Sequence, residues 1–232
     1  MPATNRTILS TRPLPKSLLD EAAAAGIAIE ELSFIQTQPV ADEGVTKRIA
    51  ELASKPITAV FTSMNAVEAV ATIAAPGASW SVYALGHTTE KLVSEKLPAS
   101  TIVATAENAA RLGERLIDDG VSGIVFFCGN IRRDELPNKM RSEKIAIEEI
   151  VVYETHETPS VLTRDYDGIL FFSPSAVEAF FRVNKPAKGT VLFAIGKTTS
   201  EAIRAHWNGK VVVAHATGKV DLAREAIAFF AS

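Results

Sequence analysis

The chain has little of what most site chemistries depend on. Its single cysteine, Cys128, allows neither an internal disulfide nor a cysteine metal cage. The histidines, His87, His156, His206 and His215, show no metal-ligand spacing, and no H-E-x-x-H helix occurs. A Gly-x-Ser-x-Gly nucleophile elbow is missing as well. Net charge is only -3, without the basic excess of a nucleic-acid binder. No apolar run approaches the length of a membrane span, and the opening "MPATNRTILSTRPLP" lacks the apolar core of a signal peptide. These absences lead us to expect a soluble cytoplasmic protein with no membrane or nucleic-acid partner and no metal. With 232 residues, 47% of them hydrophobic, the chain is long enough to bury one large core or two smaller ones.

One nucleotide signature is present in part. "AIGKTTSEA" (194–202) contains Gly196-Lys197-Thr198, the tail of a P-loop. The full motif, G-x-x-x-x-G-K-[ST], needs an earlier glycine so that successive backbone N–H groups wrap the phosphates. That position is Val191, inside the apolar run "TVLFAIG", and the nearest upstream glycine, Gly189, is out of register. The triplet is not a P-loop.

The same phrase occurs earlier as "ALGHTTEKL" (84–92), offset by 194 − 84 = 110. That offset also lays "FTSMNAVEAV" (61–70) on "FFSPSAVEAF" (171–180), and "VATAENAARLGERLI" (103–117) on "VAHATGKVDLAREAI" (213–227). A second pair, "IAIEELSFIQT" (27–37) and "IAIEEIVVYET" (145–155), has the offset 145 − 27 = 118. The order is short unit, long unit, short unit, long unit, which indicates two similar domains and not a solenoid.

Within each unit, short apolar runs alternate with helical patterns. The strand candidates are "TILS", "AIEELSFI", "TAVFT", "SVYAL", "TIVAT", "GIVFF", "AIEEIVVY", "GILFF", "VLFAI" and "VVVAH". They are nearly continuous in apolar character, as strands buried on both faces are. Helical patterns such as "SLLDEAAAAG", "NAVEAVATIAA", "TTEKLVSEKL" and "AARLGERLIDDG" follow them, continuing with "RDELPNKMRS", "SAVEAFFRV", "TTSEAIRAHW" and "DLAREAIAFF". Alternating βα units predict an α/β fold of two similar lobes, each a parallel sheet flanked by helices (flavodoxin-like). The expected first lobe is discontinuous, 1–35 plus 158–232, with 45–146 inserted as the second. Residues 36–44 and 147–157 would be two extended links, a hinge implying a cleft between lobes.

In open parallel sheets, ligands bind beyond the carboxyl ends of the strands. Those positions are Ser10-Thr11-Arg12, Thr62-Ser63-Met64-Asn65, Gly86-His87-Thr88-Thr89 and Thr105-Ala106-Glu107-Asn108. They continue with Gly129-Asn130-Ile131-Arg132, Ser173-Pro174-Ser175-Ala176, Gly196-Lys197-Thr198-Thr199 and His215-Ala216-Thr217-Gly218. Singly, such residues are helix caps that satisfy free backbone donors. Together, several helix N-termini make a surface for anions, with Arg12, Arg132, Arg133, Lys197 and Lys219 nearby either to reinforce it or to be solvated. The expected ligand is anionic, and large if it engages both lobes. Cys128 closes "GIVFFC" and reads as core and not nucleophile. Tyr153, in "VVYETHET" of the second link, is either a packing residue between domains or a hydroxyl aimed into the cleft as proton donor.

The chain resembles the uroporphyrinogen-III synthase family. The residues that carry the resemblance are "STRP" (10–13), "FTSMNAV" (61–67), "GNIRRDELP" (129–137), "VVYET" (151–155), "ILFFSPSAVEAFF" (169–181) and "AIGKTTSEA" (194–202), in order along nearly the whole chain. The resemblance implies a lyase that closes hydroxymethylbilane, a linear tetrapyrrole polycarboxylate, to uroporphyrinogen III. Water is lost to give an azafulvene cation, and ring D is inverted through a spiro intermediate, without metal or organic cofactor. It implies that Tyr153 is the cleft tyrosine, and that Ser63, Thr88, Ser173, Ser175, Thr198 and Thr199 are cleft-lining hydroxyls. With the neighbouring turn residues Thr11, Arg12, Asn65, Thr89, Ala176 and Lys197, these are the expected substrate contacts. A monomer is expected. The alternative is a non-catalytic two-lobed binding module for a large anion, because a fold does not dictate function.

Overall fold

The computed structural model describes residues 6–74, 77–215 and 218–231. The chain divides into two compact units, one of Met1–Gln36 with His156–Ser232 and the other of Thr37–Thr155. Among the described residues, no helix is long and apolar enough to cross a membrane.

The first unit carries strands β1 (Arg6–Ser10), β2 (Ile27–Glu31), β9 (Gly168–Phe171), β10 (Val191–Ala194) and β11 (Val211–Val213). All are parallel, in the order β11-β10-β9-β1-β2. Read from β2, this is the 2-1-3-4-5 order of doubly wound flavodoxin-like sheets. Successive residues face opposite ways along a strand. Ile8, Leu170 and Phe193 therefore pack with α1 (Lys16–Ala24) and α9 (Lys219–Ala231), while Leu9, Phe171 and Leu192 pack with α7 (Pro174–Phe181) and α8 (Lys197–His206). Both faces are covered, which explains the continuous apolar runs.

The second unit contains β4 (Thr58–Phe61), β5 (Ser81–Leu85), β6 (Thr101–Ala106), β7 (Gly123–Gly129) and β8 (Ala146–Glu157), joined on its edge by β3 (Ile35–Pro39). Its order is β3-β8-β7-β4-β5-β6, and the five strands from β8 to β6 are parallel. One face packs α2 (Glu43–Ala53), α3 (Met64–Ala74) and α4 (His87–Lys96); the other packs α5 (Ala109–Asp118) and α6 (Glu135–Ser142). Strand for strand, β8-β7-β4-β5-β6 repeats β2-β1-β9-β10-β11. The internal repeat is therefore one sheet built twice, with the chain entering the second copy at a different strand. This accounts for the two offsets.

The elements depart from the sequence reading in two places. "AIEELSFI" is two strands and not one. Leu32 N–H still bonds the Ser10 carbonyl at 3.0 Å, but Phe34 then turns into the core. There Phe34 is fully buried, edge-on to Phe180 at 5.2 Å. The chain resumes as β3 beside β8, bracketed by Val40 N–H to Val152 O and Thr158 N–H to Phe34 O; the reversed partner order makes this pair antiparallel. The second departure is α2, which the helical patterns did not include. Asp42 caps it by accepting from Val45 N–H at 2.9 Å, and Ile49 and Leu52 bury its inner face.

Candidate functional site

In the doubly wound order, the chain runs off in opposite directions from the two central strands, opening a crevice beyond their carboxyl ends. The switch point lies between β1 and β9 in the first unit, and between β7 and β4 in the second. Ser10–Arg12 and Ser173–Ala176 flank the first; Gly129–Arg132 and Thr62–Asn65 flank the second. Two hollows of about 390 and 610 Å³, at Thr163–Tyr166 and at Ile57, Ser122 and Ala146, lie instead by the amino ends of the strands. Sheet geometry gives them little claim on the ligand.

Several expected contact residues have local structural partners. Thr11 is buried, and its hydroxyl donates to the Leu170 carbonyl at 2.7 Å, tying β1 to β9. Ser173 caps α7 by accepting from Ala176 N–H at 3.2 Å, and Ser175 Oγ lies 3.2 Å from Ser173 Oγ. Ala176 itself is buried and presents only backbone. Ser63 accepts from Asn65 N–H at 3.2 Å.

The two copies of the repeated turn differ from these. Helices α4 and α8 begin after Gly86 and Gly196, and neither has a side-chain cap. Their first-turn N–H groups are left for another acceptor. Thr88 is exposed, Thr198 half-buried, and Thr89 and Thr199 buried at the same helix starts. Among the described residues, no hydrogen bond is made by the hydroxyl of any of these four threonines. Lys197 is 91% exposed, only 4.0 Å from Glu201, and the equivalent His87 pairs with Glu90 at 3.0 Å.

The identical phrases conceal different backbones. Gly86 has φ 78° and ψ 149°, a region that only glycine visits freely, whereas Gly196 is fully extended at φ −178°. Gly86→Ala is expected to cost about 1–3 kcal/mol of stability. Gly196→Ala should be neutral or stabilise by up to about 1 kcal/mol, through the unfolded chain. Urea unfolding of the two variants checks this, and equal losses would contradict it.

The basic residues also separate. Arg132 is drawn to Glu149 through Nε and Nη2 and to Asp134 at 3.4 Å, and its pKa is raised mainly by the Glu149 bond. Arg141 shares the same carboxylate. Lys219 Nζ reaches the Pro13 carbonyl at 3.4 Å. Arg12 and Arg133 are exposed and have no side-chain partner among the described residues. In the turn after β11, Ala216 and Thr217 lie outside the described residues.

Cys128 is core. It is 2% exposed, and burial pushes its thiol up to about 11. Thiol reagents at pH 8 should therefore label it far more slowly in native protein than in urea, with the native rate climbing toward pH 11. Equal labelling rates would contradict this.

Tyr153 lies on β8, opposite Gly129, the last residue of β7. Its half-buried ring packs against the core on one side and covers the Gly129 Cα on the other. A Cβ at Gly129 would lie 2.5 Å from Cζ, 2.7 Å from Cε2 and 2.8 Å from the phenol oxygen. The phenol is thereby placed beside the switch point of the second unit. The sequence reading had both residues but not their contact, since nothing local signals a pairing across strands.

Comparison with known proteins follows the same lines. Residues 16–221 match the family model described as "Uroporphyrinogen-III synthase HemD". The crystal structure of uroporphyrinogen-III synthetase from Helicobacter pylori is similar with a TM-score of 0.67 and 15% identity, covering 97% of this chain and 99% of that one. A mutant uroporphyrinogen III synthase from Thermus thermophilus gives a TM-score of 0.69 at 14% identity, covering 97% and 98%. At such identities these two structures establish likeness of fold.

Proposed function

Since the chain belongs to the uroporphyrinogen-III synthase family, cyclising lyases of tetrapyrrole biosynthesis, we propose that Tyr153 is its catalytic residue and that the carboxyl-end turns of its two units bind the substrate. The reaction closes hydroxymethylbilane to uroporphyrinogen III, with loss of water and inversion of ring D. The observation that carries this reading is the family match over residues 16–221.

The chemistry requires two things of the protein. A polycarboxylate must be gripped, and a poor leaving group must be helped to depart. The uncapped starts of α4 and α8, with Thr88, Thr89, Thr198 and Thr199, supply N–H and O–H donors for carboxylates. Ser63, Asn65, Ser173 and Ser175, with the exposed Arg12 and Lys197 charges, extend that donor set; Thr11 and Ala176, whose hydroxyl and N–H are already bonded, shape the turns that carry it. Tyr153 donates its phenolic proton to the departing hydroxyl, so that water leaves in place of hydroxide. The azafulvene cation left behind needs no further activation. Closure at the ring D carbon through the spiro intermediate then depends on how the chain is folded on the protein, a contribution of positioning.

We extend this reading to a cytoplasmic monomer, which fits a biosynthetic family and a donor set contained in one chain. The test of the function is to generate hydroxymethylbilane in situ, add the protein, oxidise, and resolve the porphyrin isomers. The type III isomer is expected. Type I alone, the spontaneous product, would sink the reading.

A further inference from the structure

We propose that Gly129 and Asn130 are positioning residues for Tyr153: the glycine opens the space in which the phenol lies, and the asparagine clamps the strand that carries it. The proposal rests on the reading of Tyr153 as the catalytic group and adds what aims it.

The geometry begins with an irregularity. Strands β7 and β8 pair in register from Gly123↔Ala146 to Cys128↔Val151, then shift, so that Gly129 faces Tyr153. Such a bulge re-aims the side chains beyond it. Here it brings the Tyr153 ring onto the glycine Cα, closer than any Cβ tolerates. An aromatic ring cannot bend aside, and this one has the core on its other side. Only glycine at position 129 accommodates it.

Past the bulge, the ladder would end. Asn130 continues it with its side chain. Its N–H donates to the Tyr153 carbonyl at 3.1 Å. Its Oδ1 accepts from Thr155 N–H at 2.8 Å, and its Nδ2 donates to the Thr155 carbonyl at 3.4 Å. The amide thus imitates a strand neighbour, fixing the backbone at Tyr153 and two residues beyond.

The other unit supplies a comparison within the chain. The 118-residue offset matches Tyr153 with Ile35. There β1 and β2 pair without a shift from Arg6↔Ile27 to Ser10↔Glu31, and β2 ends at Glu31 before reaching Ile35. The two copies part company where the second one makes room for a tyrosine.

The test uses the full-length protein labelled with 3-fluorotyrosine. Its three tyrosines, Tyr83, Tyr153 and Tyr166, give three fluorine resonances, with Tyr153 assigned by its loss in Tyr153→Phe. Gly129→Ala is expected to move the Tyr153 resonance while leaving the other two, and to lower kcat by about tenfold or more with KM within about twofold. In a Tyr153→Ala background, adding Gly129→Ala should cost no further activity. Asn130→Ala, at an exposed position, provides the same readouts if Gly129→Ala does not fold; a smaller loss of kcat and a broadened Tyr153 resonance are expected. An unmoved resonance with wild-type kcat in either folded variant overturns the proposal. If the resonance moves but Tyr153→Phe keeps full turnover, the catalytic reading fails and the aiming role falls with it.

Discussion

Replacing Tyr153 with phenylalanine is expected to lower kcat about 10²-fold or more, the usual contribution of one positioned proton donor. The substitution keeps the ring, and so keeps the packing against the core and over Gly129. On the proposed role of Tyr153, what it removes is the proton delivered to the departing hydroxyl. Residual activity should persist, because the proposed carboxylate contacts are untouched and the azafulvene cation still forms slowly without acid assistance. The product of that residual activity should remain the type III isomer, since ring inversion follows from substrate folding and not from proton delivery. Single-turnover isomer analysis with hydroxymethylbilane generated in situ measures both quantities. Unchanged turnover would remove Tyr153 from the mechanism and leave the donor turns as the whole of the catalyst.

Phe127→Ala should be among the most costly core substitutions of the second unit, about 3–5 kcal/mol. Phe127 is fully buried in β7 and stacks on Phe61 at 5.2 Å and on Trp80 at 5.4 Å. Trp80 is itself fastened, its indole N–H donating to the Leu52 carbonyl at 3.0 Å. Removing the middle ring leaves a cavity that two rigid aromatics cannot collapse to fill, so the upper part of the range applies. Such a loss is a large share of the 5–15 kcal/mol that stabilises a typical domain. A urea titration of wild type and variant measures it, and a loss below about 1 kcal/mol would show that the stack relaxes. Because Phe127 stands two residues before Gly129 on the same strand, the variant should also lose turnover near its unfolding midpoint.

The order of elements was legible because both sheets are parallel and covered on both faces. "GILFF" and "VLFAI" had to be apolar throughout, and so stood out between helical patterns. The duplication was legible because offset 110 is preserved down to the helix starts at His87 and Lys197. What escaped lay where local sequence and tertiary demand diverge. "AIEELSFI" looks like one strand, yet Phe34 is buried edge-on to Phe180, and the strand divides. Helix α2 has a good cap and an apolar stripe of buried Ile49 and Leu52 with half-buried Val45, but it follows the link strand and has no counterpart among the described residues of the other copy to draw attention to it.

The candidate site divides in the same way. The hydroxyl-rich turns are local, and their placement after strands could be read from the chain. Which turns are already capped, as at Ser173, and which leave donors open, as after Gly86 and Gly196, depends on side-chain rotamer and backbone angle in the folded state. By itself, the amino-acid order determined that one sheet would be built twice, where most of its strands would end, and that Tyr153 would stand in the second extended segment. Only tertiary structure decided that Tyr153 meets Gly129. That contact depends on a register shift between two strands separated by a helix, and register is settled by the burial of whole faces, not by any residue's own preference.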